Sequence, residues 1–170
     1  VKLPSPQKVP ATGVLEYRHL KVKAPVTEDM WCDAVVIKPG NLKVLHHCII
    51  RSRHKGGEDD GSGQGEWLQG WAPGATAGRF PKDTGRLLAR NATLDIELHY
   101  TTMGSEQVDE TEIGFYKLPA QPKMKLRNRG AYNLDFAIEP GVAEAETSAL
   151  VPFSKETILY AMAPHMHLRG

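Results

Sequence analysis

The sequence predicts an all-β fold: an antiparallel β-sandwich of jelly-roll-like type, followed by the opening strands of a second sandwich. Three observations predict it. Short runs of β-branched and aromatic residues recur about every 8–12 residues, each bounded by turn signals. The 16 glycines and 12 prolines among 170 residues punctuate the chain too often for long elements. No window sustains the 3.6-residue period of an amphipathic helix.

The strands follow in order. Val14 to Val22 has β-formers broken by charge. Trp31 to Ile37 is β-branched and stops at Lys38-Pro39-Gly40-Asn41, a turn sequence. Leu42 to Arg51 resumes the apolar pattern, so the two runs read as a hairpin. His54 to Gly65 is polar and Gly-rich, a flexible loop with no core content. Trp67 to Phe80, aromatic and broken by Gly and Pro, reads as an ordered loop. Thr93 to Tyr100 is the cleanest alternation: Leu94, Ile96 and Leu98 share one face, Asp95, Glu97 and His99 the other. Ile113 to Leu118 is a further strand, and Leu118-Pro119-Ala120-Gln121-Pro122 a linker. This places a first domain at 1–120 and a partial second sandwich at 123–170, with strands expected at Tyr132–Ile138 and Thr157–Ala163.

Composition narrows the function classes. Twenty-one basic residues against 20 acidic ones leave a net charge of +1, which implies no nucleic acid or other polyanion as partner. No apolar run approaches the roughly 20 residues of a membrane span, so no membrane is expected. Val1 is not an initiator Met, and no apolar stretch follows it; the N-terminus reads as processed or excised from a longer chain. Cys32 and Cys48 both fall in strand interiors, and two readings stand: a disulfide between neighbouring strands, which implies an oxidising compartment, or two small buried thiols.

The seven histidines carry the chemistry. Imidazole is the commonest protein ligand for copper and zinc. No acidic cluster accompanies the histidines, which argues against oxygen-ligated calcium or magnesium. His165 and His167 stand two apart, so on a strand they face the same way, with Met166 pointing away. His46 and His47 are adjacent and normally face opposite ways; they can share an ion only where the strand bulges or twists. His99 lies on the polar face of the strand that ends at Tyr100. Taken singly, His46 and His47 read as one packed and one solvated ring, and His99 as a solvent-facing strand residue. His19 and His54 read as ordinary surface positions. Trp67, Trp71 and Tyr100 read as core packing rather than a ligand cleft, and Arg169 as a solvated charge.

Taken together, Leu45-His46-His47-Cys48, then Leu98-His99-Tyr100-Thr101, then Pro164-His165-Met166-His167-Leu168-Arg169-Gly170 resemble the copper type II, ascorbate-dependent monooxygenases. This is the family of peptidylglycine α-hydroxylating and dopamine β-monooxygenases, and the surrounding segments are most similar to its bacterial branch. Thr27-Glu28-Asp29-Met30-Trp31, Lys38-Pro39-Gly40-Asn41 and Gly70-Trp71-Ala72-Pro73-Gly74 are among them. The resemblance implies two facing sandwiches, each with one copper. It implies that His46, His47 and His99 hold the first, which takes electrons from ascorbate. His165 and His167 would be two ligands of the second, where dioxygen meets a small-molecule or peptide substrate. A methionine ligand of that second site is expected beyond Gly170, in the rest of the second sandwich, and further domains of the same polypeptide are partners the resemblance allows. The chain then reads as part of a larger, periplasmic or extracellular enzyme. Two other readings remain open: a non-catalytic binding or structural sandwich, and a structural zinc site on the same three histidines.

Overall fold

The computed structural model describes residues 1–164. The chain divides into two units, Val1–Arg129 and Gly130–Gly170. No described residue is helical, so no helix is long and apolar enough to cross a membrane.

The first unit holds ten strands: β1 (Gln7–Val9), β2 (Arg18–Lys23), β3 (Met30–Lys38), β4 (Leu45–Arg53), β5 (Glu66–Trp71), β6 (Thr84–Leu88), β7 (Thr93–Tyr100), β8 (Gln107–Asp109), β9 (Glu112–Lys117) and β10 (Met124–Lys125). They form a four-stranded sheet β10-β6-β3-β9, a second four-stranded sheet β2-β7-β4-β5, and a short ribbon β1-β8. Every pairing is antiparallel except β10 on β6. The two larger sheets share one core, as in a sandwich. Leu94, Ile96 and Leu98 of β7 are fully buried and cluster with Ile50 of β4, Val35 and Ile37 of β3, Leu88 of β6 and Ile113 of β9. Each such side chain contributes about 1.5–3 kcal/mol through removal from water.

The alternation in Thr93–Tyr100 therefore has a simple cause. β7 is an inner strand with one face on the core and the other outward, and its bounds coincide with the expected ones. The expected hairpin of β3 and β4 is not formed. β3 pairs with β6 and β9, and β4 with β5 and β7, so the turn at Lys38–Asn41 carries the chain from one sheet to the other. That turn is tightly clamped. The Asn41 amide donates to Asp109 Oδ1 at 2.7 Å, and a Cβ on Gly40 would lie 2.4 Å from the Glu110 nitrogen. Asp109 is fully buried and also accepts from the Tyr100 hydroxyl at 2.8 Å and the Thr111 hydroxyl at 2.8 Å.

Cys32 and Cys48 consequently sit on strands of different sheets, and both thiols are free; the disulfide expectation is corrected to two buried thiols. Burial, with Asp33 adding, pushes Cys32 up to about 11. Burial, with Asp109 and Glu97 adding, pushes Cys48 up to about 12.

Two further expectations change. The stretch read as loop from Trp67 begins with β5, whose Gly70 leaves room for the Trp67 ring. The Gly-rich segment 54–65 is not free of buried groups. Asp59 accepts from the amides of Gly61, Gly63 and Gly65, and Asp60 is 4 % exposed beneath the loop.

In the second unit no described residue of 130–164 is in a strand, in contrast to the expectation for 132–138 and 157–163. Leu134, Leu150 and Met162 are largely exposed. A β-forming sequence needs a neighbouring strand to satisfy its backbone groups. The described part of this unit supplies none.

Candidate metal centre

β4 and β7 are neighbours, and the register between them builds the site. Leu45 pairs with Tyr100, and both side chains enter the core. The next partnership is His47 with His99. One step on β7 thus corresponds to two on β4, and His46 is the extra residue of a β-bulge. The bulge removes the objection raised by adjacency. Leu45 stays inward, and His46 and His47 both come to the outer face beside His99. The pair lies at the start of β4, next to the turn clamped by Asp109, rather than at the strand's centre.

The three imidazoles form a compact group. Ring centroids are 5.0 Å apart for His46–His99 and His47–His99, and 5.6 Å for His46–His47. One ligand atom from each ring lies within 4.8 Å of the other two. The Nδ1 atoms of His46 and His47 are 3.4 Å apart. Two nitrogens on a shared ion at about 2.0–2.1 Å would stand about 3–4 Å apart. Closure onto an ion from separations of up to 4.8 Å therefore needs ring movements of about 1 Å or less.

The surroundings supply a second sign. His99 Nδ1 is shielded from solvent and has no hydrogen-bond partner in the protein, a costly state for a polar atom. Burial, then the neighbouring His47 and His46, hold His99 below the usual imidazole range, so its neutral, ligating form is favoured. Tyr17, just before β2, packs edge-on against His99 and His47 at 4.4 and 5.3 Å. His46 is exposed, which leaves the group open on one side.

Behind His47 lies a buried polar chain. Glu97 Oε1 is 3.3 Å from His47 Nε2, and Glu97 Oε2 accepts from Arg51 Nη1 at 3.0 Å. The Arg51 guanidinium lies 5.3 Å from the Trp67 ring centre, and its Nε is 3.8 Å from Asp60 Oδ2. The hydrogen bond from His47, reinforced by Arg51, holds the Glu97 carboxyl below the usual carboxylate range despite its burial. Sequence reasoning put Glu97 on the face of His99 but gave it no role. Arg51 and Tyr17 gave no sequence signal, because only the β4–β7 and β2–β7 registers bring them to the histidines.

Of the five histidines read as ligands, the structure joins His46, His47 and His99; His165 and His167 lie outside the described residues. His19 faces Asp95 at 3.1 Å on the same sheet face. Tyr100 is core, as expected, and Trp71 packs partly against it. Compared with known proteins, the chain matches no protein-family model and no curated protein sequence.

Proposed function

We propose that the chain is a copper-binding sandwich of the ascorbate-dependent monooxygenase type, with His46, His47 and His99 as the ligands of an electron-accepting centre. One observation carries the reading: a β-bulge placed at His46 brings two adjacent histidines and a cross-strand third onto one surface point. A bulge disrupts the ladder locally, and its position here serves the convergence of the rings.

Three neutral imidazoles suit copper and zinc, and divalent copper binds such donor sets more tightly than zinc does. Copper, when bound, supplies one-electron chemistry. The residues do the rest. His46, His47 and His99 hold the ion at the protein surface, where a small reductant such as ascorbate reaches it past the exposed His46. Tyr17 and the sheet cover the inner side. In this reading His165 and His167 would be two ligands of a second copper, which would supply the dioxygen chemistry toward a small-molecule or peptide substrate, and the protein is periplasmic or extracellular.

Metal analysis after copper loading and desalting tests the proposal. One copper per chain is expected, reducible by ascorbate, and lost in His47→Ala and His99→Ala. Copper retention unchanged in both variants would refute it. Tighter retention of zinc than of copper under competition would favour a structural zinc site instead.

A further inference from the structure

We propose that Glu97 is the positioning residue of this centre: it holds the Nε2–H of His47, commits the ring's Nδ1 to the metal, and biases the bound ion toward its oxidised state. The inference rests on the copper reading above. Apart from the His46–His47 Nδ1 distance, its observations are separate from those that place the three histidines together.

Glu97 is on the outer face of its sheet yet only 7 % exposed. Arg51 occupies one of its oxygens and His47 the other. An ionised carboxylate only accepts hydrogen bonds, so the contact with His47 requires the proton on Nε2. In the neutral ring the lone pair then belongs to Nδ1. That atom is the one 3.4 Å from His46 Nδ1, in the histidine cluster. The opposite tautomer would set two acceptors, Nε2 and Oε1, against each other. It would also turn an N–H into the site.

The remainder of the chain fixes the carboxylate itself. Arg51 is 8 % exposed, packed over Trp67 and shared with Asp60. A single guanidinium therefore faces two carboxylates, and negative charge remains behind His47. A carboxylate on the outer N–H of a ligating imidazole raises its basicity and is worth about 10–100-fold in metal affinity. That charge favours the more highly charged of two oxidation states. A structural ion pair would need only the Arg51 contact; the second oxygen of Glu97 is aimed at the ligand.

Glu97→Gln tests this sharply. Arg51, a pure donor, claims the amide oxygen, so the amide N–H₂ faces His47 and favours a proton on Nδ1 instead. Glu97→Asp is the second variant: it keeps the charge for Arg51 but is one methylene too short for His47. Long-range proton–nitrogen NMR of the metal-free chain at pH 8.5 should show His47 protonated on Nε2 in the parent and on Nδ1 in Glu97→Gln. Copper titration and potentiometry should show Cu(II) affinity about 10–100-fold lower and a higher reduction potential in both variants. A copper-binding parent whose folded variants keep its tautomer, affinity and potential overturns the role of Glu97 alone. A parent that binds no copper overturns the underlying reading as well.

Discussion

Tyr100→Phe separates what holds the scaffold from what binds the ion. Tyr100 is 2 % exposed, and its hydroxyl donates to Asp109 Oδ2 at 2.8 Å. Phenylalanine keeps the ring, its place in the core cluster with Leu45 and Cys48, and the Arg18 guanidinium 5.0 Å from the ring centre. The loss is therefore confined to one hydrogen bond on a buried carboxylate. Asp109 keeps the donors Asn41 N, Thr111 N and Thr111 Oγ1, so it is not orphaned. A hydrogen bond to a charged group contributes about 1.5–3 kcal/mol. For a unit spanning Val1–Arg129 this lowers Tm by about 6–11 °C. Burial, and then the bond to Asp109, raise the Tyr100 phenol well above its usual range, so it stays protonated. The destabilisation should thus be constant from pH 6 to 9 in urea titrations followed by circular dichroism. Copper stoichiometry should be unchanged, because the hydroxyl points to the turn and away from the histidines. A loss under about 0.5 kcal/mol, or a lost copper, would refute the reasoning.

Three further outcomes follow from the same geometry. Metal-free protein should lose stability as pH falls below about 6.5, because His99 is depressed in the folded state and the unfolded chain takes up that proton first; a urea midpoint that does not respond to His99→Gln between pH 8 and 5 would contradict this. Cys32 and Cys48 should resist a thiol reagent in the folded chain and both react in denaturant, since burial hides them and raises them to about 11 and 12; absence of two thiols after unfolding without reductant would mean a disulfide. Gly40→Ala drives a Cβ to 2.4 Å from the Glu110 backbone nitrogen, so thermal melts should show a loss of at least about 1–3 kcal/mol.

The sequence made β7 legible residue by residue, because an inner strand with one wet face must alternate. It made the turn at Lys38–Asn41 legible, but not what the turn joins. Local signals mark a reversal, while the partner strand is decided by which sheet buries the following run. β5 and β6 were hidden by Gly70 and Gly85, which weaken a strand pattern and here make room for Trp67 and for Leu118 and Pro122. The order of His46, His47 and His99 pointed to one centre, but adjacency argued against it. The bulge that resolves the conflict is a property of the β4–β7 register, which no single strand encodes. Glu97 was visible as a neighbour of His99 on β7; its contact is with His47 across the ladder. Asp60, in a loop of glycines and charges, gave no sign that it would be buried against Arg51.

The most direct test counts imidazoles on the bound ion. Pulsed electron paramagnetic resonance of the chain loaded with one equivalent of Cu(II) reads the remote nitrogens of coordinated rings. Three are predicted in the parent and fewer, with weaker retention of the ion, in His99→Ala. One or none in the parent, or a count that His46→Ala, His47→Ala and His99→Ala all leave unchanged, would contradict the proposed centre.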